Sequence, residues 1–406
     1  MSEISRPMLS VEEALARVLA GLGRIESEII PLEDGFNRFL AEGVAAHITQ
    51  PPFDASAMDG YAVQASDLNE VPCDLRVIGD AAAGHPFEGE VGAGQAVRIF
   101  TGGAVPGGAD TIVIQEVTQR EADTVTVKER AEHGAFVRLR GFDFAEGDVL
   151  LEAGRKLLAR DLSLAAAMNV TQLSVRRKPV VAILATGDEL VMPGEELKPG
   201  QIISSNSYGL AAMIEGAGGR PEQIGIARDT EQSLAEHISR ASHADILLTI
   251  GGASVGEHDL VQGVLEAAGM TLDFWKIAMR PGKPLMFGQL GNQRVLGLPG
   301  NPVSAMVCSR IFLIPMLEKM LGSTESSTAL KSAVLGAGLE KNGPRQHYMR
   351  ATLENGPDGA AVVTPVRSQD SSLLSPLSQA DCLIVRLPDA PVAVAGDTVP
   401  ILPLDF

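Results

Sequence analysis

The chain has little with which to build several kinds of site. Its 406 residues include only three cysteines, Cys73, Cys308 and Cys382, widely spaced and without a CxxC pair. That excludes a disulfide framework and a thiolate zinc site, and it leaves three thiols to be read as small buried or inert residues. Aromatic residues make up only 4% of the chain, with a single tryptophan. No apolar run approaches the roughly 18 residues of a membrane span, and the opening MSEISRPMLS has no apolar leader segment. Basic residues are the scarcer charge: 33 Lys and Arg against 51 Asp and Glu give a formal net charge of −18. Such a field attracts neither nucleic acid nor an anionic membrane, so an anionic small substrate would need a local basic patch. Also missing are a GxGxxG turn after the first strand and an acidic ribose contact about 20 residues on, which argues against a flavin or nicotinamide oxidoreductase. A reducing cytoplasm is the expected location.

What is present has the makeup of a soluble globular protein, 45% hydrophobic and 21% charged. The length exceeds what one core usually organises, so roughly two to four domains are expected. LSVEEALARVLAGL, 9–22, predicts an amphipathic helix capped by Ser10, with Glu13 completing a capping box. Pro51-Pro52 marks a boundary, after which short strands alternate with Gly and Pro turns. The mixed texture resumes near 146, so residues 49–145 read as a β domain inserted into a split domain of residues 1–48 and 146–178.

From Pro179 strands and helices alternate, which predicts a doubly wound α/β domain over 179–327 with a mostly parallel sheet. Its last helix, from Pro302 behind Asn301, is apolar nearly all round and is expected to be central to the packing. GSTESST, 322–328, reads as a linker, and 328–406 as a small β-barrel or sandwich.

The chemistry concentrates at predicted strand ends, where an open parallel sheet binds its ligands. VVAILATGDEL, 180–190, ends in Thr186, Gly187, Asp188 and Glu189, and DILLTIGGASVGEHD, 245–259, ends in a glycine-rich turn and Asp259. The carboxylates can be helix caps, general bases or ligands of a hard cation such as Mg²⁺. Gly251, Gly252 and Gly256 would let backbone N–H groups close around a phosphate. In WKIAMRPGKP, 275–284, Lys276, Arg280 and Lys283 fall within eight residues of an otherwise acidic chain. Such a run is commonly a solvated face. Beside metal-competent carboxylates at one sheet edge, it is also what phosphoryl or nucleotidyl chemistry requires. In the β domain, Asp59 sits in a tight turn and Thr101 in a loop with four glycines, features that turn chemistry alone can explain.

These residues form an ordered series: SAMDGYA (56–62), TGGAVPGGAD (101–110), GFDFAEGDVLLEAG (141–154), TGDEL (186–190), GQIISSN (200–206), GGASVGEHD (251–259), RPGKP (280–284) and GLPGNPVSAM (297–306). The series resembles the molybdopterin molybdenumtransferases, the MoeA family that includes the gephyrin E domain. The resemblance implies an elongated split domain, an inserted β lobe, a molybdopterin-binding α/β domain and a C-terminal β-barrel. It implies Mg²⁺-dependent conversion of adenylylated molybdopterin and molybdate to molybdenum-molybdopterin and AMP, in a homodimer whose cleft is completed by the partner's β lobe. A molybdopterin adenylyltransferase would donate the substrate.

By that resemblance Asp59, Glu189, Asp259, Lys276 and Arg280 are catalytic, with Asp259 and Glu189 at the metal. Substrate contacts fall to Thr101, Asp143, Thr186, Gly187, Ser204, Asn206, Gly251, Gly252, Ser254, Gly256, Lys283, Pro299, Pro302, Arg350 and Ser371. Arg350 and Ser371 are placed near the oxyanion. Asp370 departs from the family's glycine beside that serine, so it must point away or alter anion affinity. Glu189 rather than Asp188 is expected to face substrate, with Asp188 bracing the turn. The alternatives are the preceding adenylyl transfer, carried out by a stand-alone α/β domain, and a dimeric scaffold that binds a partner peptide.

Overall fold

The computed structural model describes residues 8–252, 260–356 and 359–405. At its centre is a six-stranded sheet in the order Arg220–Ala227, Val180–Thr186, Ile246–Ile250, Gln293–Leu298, Met286–Leu290 and Thr271–Trp275. The first four strands are mutually parallel, and Met286–Leu290 runs antiparallel to both its neighbours. Alternation along each strand divides its side chains between two faces. Val181 and Ile183 pack with the helices Val11–Leu19, Asn206–Gly216 and Pro302–Cys308. Val180, Ala182 and Leu184 pack with Glu231–Arg240 and Leu260–Ala267 on the other face. The result is the doubly wound α/β layering expected from the sequence.

Several local expectations are corrected. Ser10 accepts the Glu13 N–H at 3.1 Å, but the Glu13 carboxylate takes Arg17 at 2.8 Å, so the reciprocal half of the capping box does not form. The helix Glu231–Arg240 takes Thr230 as its cap, whose hydroxyl accepts the Ser233 N–H at 3.2 Å. The edge strand ends at Trp275, where Lys276 adopts φ +83°. The helix from Pro302 is not continuous: a π turn, Ser309–Leu313, separates it from Ile314–Leu321. Pro315 has no N–H, and its ring would crowd the Ile311 carbonyl of a regular helix. One residue earlier the Ile314 N–H reaches back five residues to the Ser309 carbonyl, which shifts the register.

The remaining sheets flank this layer. A six-stranded sheet runs Thr111–Ile114, Gly60–Val63, Gln95–Ile99, Cys73–Ala81, Thr124–Val127 and Thr118–Glu121 around its own apolar cores. Ser27–Pro31 pairs with Gln172–Arg176 across the intervening β lobe. In the C-terminal region Gln346–Asn355, Ala361–Pro365, Lys331–Leu335, Thr398–Pro403 and Cys382–Arg386 pair in succession. The last strand returns to the first, closing a five-stranded barrel. Tyr348, Leu383 and Val385 join the α/β core, so barrel and sheet are packed as one hydrophobic unit.

Candidate active site at the carboxyl edge of the sheet

Topology brings most of the expected residues to one edge. The chain crosses from Val180–Thr186 to one neighbouring strand, Arg220–Ala227, and then returns to the other, Ile246–Ile250. The turns beginning at Gly187 and Gly251 therefore open at a switch point, where such sheets form a crevice. Thr186 is buried, its hydroxyl directed to the Ile250 carbonyl at 3.4 Å, so it ties the two strand ends together. Gly187 has φ +144°, and a Cβ there would fall 2.5 Å from a Glu189 carboxylate oxygen. Glycine at 187 thus gives Glu189 room to fold back over the strand end. Asp188 Oδ1 accepts the Asp229 N–H at 3.3 Å, and Arg228 Nη1 donates to the Asp188 carbonyl at 3.0 Å, which braces this turn against its neighbour.

Gly251 and Gly252 follow the next strand with φ +91° and +68°. Ser254, Gly256 and Asp259 lie outside the described residues. Among the described residues no group of three His, Cys, Asp or Glu side chains converges as a metal cage. Glu189 remains as an exposed hard-oxygen donor at the strand end. A Mg²⁺ ion, which keeps several waters and shares substrate phosphates, needs only one or two such carboxylates, so the donor type fits.

Beside this edge lies a cavity of about 380 Å³, lined by Arg280, Pro281, Gly282, Lys283, Pro284, Pro299, Asn301, Ser304, Arg345, Gln369, Asp370 and Ser371. Its two walls come from different sheets. Arg280 pairs in register with His347 of the barrel, which joins the basic turn to the barrel strand. On the opposite side, the Asn301 amide donates to Ser371 Oγ at 2.9 Å instead of capping its own helix, and the Val303 N–H donates to the Ser371 carbonyl at 3.1 Å. Pro302 occupies the first helical position, and Asn206, opening its own helix, donates to the Gly300 carbonyl at 2.7 Å. Ser204 is buried, and its N–H donates to the Val191 carbonyl at 2.8 Å.

Two expected cations lie outside this cavity. Arg350 is 1% exposed, and its guanidinium is spent on the carbonyls of Leu373, Ser368 and Asp370 at 2.8–3.0 Å. It stands behind the 368–373 loop and does not line the cavity. Lys276 does not line it, and its ammonium lies 4.0 Å from the centre of the Trp275 ring. Sequence reasoning missed Arg345, Gln369 and Ser304. Arg345 was discoverable as a second arginine beside the strand that carries Arg350.

Asp59 and Thr101 meet on the β lobe. Asp59 Oδ1 accepts both the Thr101 N–H and its hydroxyl at 2.7 Å, and these bonds hold the carboxyl below its ordinary pKa. Arg98, also overlooked, lies between the Tyr61 and Phe100 rings, 5.1 and 4.9 Å from their centres. Neither Asp59 nor Thr101 lines the cavity at the sheet edge. Asp143 is exposed where the lobe rejoins the split domain, its N–H donating to the Gln50 carbonyl at 3.0 Å. A larger cavity of about 910 Å³, lined by Phe39, Met213, Met306, Ile314 and Leu377 among others, shares no lining residue with the basic one.

Comparison with known proteins gives this arrangement a family. Residues 9–169 match the MoeA N-terminal region (domain I and II), 182–319 a probable molybdopterin binding domain, and 332–404 the MoeA C-terminal region (domain IV). A molybdopterin molybdenumtransferase of Haemophilus influenzae is 37% identical over 402 residues, covering 98% of this chain and 99% of its own. This chain belongs to the MoeA family of enzymes. Another relative with that name, from Bacillus subtilis, is 34% identical over 406 residues, 98% of this chain and 94% of its own. The solved MoeA protein of Pyrococcus horikoshii superposes with a TM-score of 0.84 at 29% identity, covering 97% of this chain and 99% of the other. The MoeA fold read from the sequence is therefore the fold of the chain. No helix among the described residues is long and apolar enough to cross a membrane.

Proposed function

We propose that the chain is a molybdopterin molybdenumtransferase that takes adenylylated molybdopterin and molybdate, releases AMP and leaves molybdenum on the pterin dithiolene. The observation that carries this reading is the cavity where Arg280, Lys283 and Arg345 converge in a protein of net charge −18. A local cationic pocket in an acidic protein concentrates a small anion without attracting polyanions. Its size and mixed lining suit a tetrahedral oxyanion beside a phosphate. The glycine turns at 187 and 251 leave backbone free to approach the pterin phosphate.

Glu189 and Asp259 are the residues we assign to Mg²⁺. When bound, the ion would lower the negative charge of the phosphoanhydride. The chain's own residues orient the substrate: Asn301 and Ser371 hold the two walls of the cavity together, and Arg280 and Lys283 face the anion.

The homodimer belongs to the same proposal. Met58 and Phe100, the chain neighbours of Asp59 and Thr101, are exposed, and so are Phe53, Phe136, Leu139 and Phe142 of the same lobe. Exposed large apolar side chains beside fixed polar groups suit an interaction surface. We assign it to the cleft of a second copy, where Asp59 and Thr101 would complete the site. A cytoplasmic location and substrate delivery by a molybdopterin adenylyltransferase complete the reading.

The test is to supply adenylylated molybdopterin, molybdate and Mg²⁺ to the purified protein and follow AMP release and activation of an apo-molybdoenzyme. Glu189→Gln and Asp259→Asn should each lower AMP release about 100-fold or more while remaining folded. No AMP release by the wild type would overturn the assignment.

A further inference from the structure

Among the described residues, Asp370 is the one carboxylate lining a cavity that also holds Arg280, Lys283 and Arg345. Both ends of the residue are tied down. Its carbonyl accepts from Arg350 Nη2 at 2.8 Å, and its Oδ1 accepts the Ser372 N–H at 2.9 Å and the Ser372 hydroxyl at 2.7 Å. A free surface aspartate would swing away from an arriving anion. This one is a residue that lines the cavity and is held in place by bonds at both ends. The bonds from Ser372, with a smaller contribution from the Arg350 charge, also hold the carboxyl below its ordinary pKa, so the charge persists at neutral pH.

We propose that Asp370 sets the charge selectivity of this cavity, weakening its hold on doubly charged tetrahedral oxyanions more than on singly charged ones. The proposal rests on the reading that the cavity takes an oxyanion. A fixed charge acts on a ligand in proportion to the ligand's own charge, so its penalty on a dianion is twice that on a monoanion of the same shape. Asp370 is exposed, and solvent screening keeps the effect moderate. An acceptor-only group at the rim also has no proton to offer a fully deprotonated oxyanion.

The experiment pairs molybdate with perrhenate, a tetrahedral monoanion of similar size, and measures both by titration calorimetry on the full-length protein at low and moderate salt. Asp370→Asn keeps an oxygen for Ser372 and removes only the charge. Molybdate should bind that variant about tenfold more tightly and perrhenate about threefold, with both gains shrinking as salt rises. Asp370→Gly, which removes the side chain altogether, should show the same order of preference. Unchanged affinities, weaker binding, or equal gains for both anions would overturn the role of Asp370 while leaving the cavity's assignment in place. Arg280→Ala separates the two claims. If the wild type binds neither anion, or binds both as well without Arg280, the reading of the cavity fails and the proposal fails with it.

Discussion

Arg345 and Arg350 stand five residues apart at and within one barrel strand, and only one of them lines the cavity. A spacing of five places two residues on opposite faces of a strand. Met349, Ala351 and Leu353 pack towards the barrel core, whereas Tyr348 turns to the α/β core and Arg350 to the 368–373 loop. The sequence offered both arginines, but which face met the pocket depended on the barrel's closure. His347, between them, carries a consequence of its own. It is 7% exposed, and burial, together with the charges of Arg280, Arg345, Arg350 and Arg386, lowers its pKa to about 4. The folded state keeps this imidazole neutral, while the unfolded chain takes up a proton near pH 6.5. The stability it confers is therefore complete above about pH 6.5 and is lost as pH falls towards 4, at no more than about 1.4 kcal/mol per pH unit. Unfolding in guanidinium, followed by circular dichroism between pH 7 and 4.5, should show the wild type losing stability faster than His347→Gln. Parallel curves would refute this.

Single elements were read well where pattern alone decides them and poorly where a neighbour does. The strand Val180–Thr186 follows from its apolar run and the helix Val11–Leu19 from its spacing. The π turn before Pro315, by contrast, needs the helix to keep packing on both sides of a missing N–H, a tertiary demand. The RPGKP turn is another such case. Gly282 has φ +103°, and a Cβ there would fall 2.3 Å from Cys308 Sγ on the central helix. The two prolines and two cations of this turn are visible in the sequence, but the helix that presses on it is not. Gly282→Ala should cost about 2–4 kcal/mol, from overpacking and a left-handed backbone combined, and should weaken molybdate binding by displacing Arg280 and Lys283. Because Cys308→Ala removes the crowding sulfur, the double variant should regain part of both losses. Thermal unfolding and calorimetric titration of the set would measure this, and a double variant no better than Gly282→Ala would rule out the steric explanation.

At the scale of the whole molecule, alternating strands and helices indicated the α/β layer, and the ordered motifs indicated the family. Composition and pattern alone could not say that Asp59 and Thr101 would share no cavity with the residues at the sheet edge; only the family resemblance, with a cleft completed by a partner's lobe, implied it. That separation reflects where an inserted lobe points relative to its parent domain, which no local pattern encodes. If the lobe serves a partner's cleft, defects in lobe and cleft should complement one another. A homodimer of Asp59→Ala subunits has two faulty lobes, and one of Glu189→Gln subunits has two faulty clefts. A mixed dimer joins the intact cleft of the first subunit to the intact lobe of the second, giving one competent site and one doubly defective site. Random exchange of equal amounts makes half the dimers mixed, so about one quarter of wild-type AMP release should return from two nearly inactive proteins. The check is to mix the purified variants under conditions that permit subunit exchange and compare AMP release with that of each alone. Activity that stays at the average of the two variants, while labelled subunits demonstrably exchange, would place both residues in one subunit's site and overturn the shared cleft.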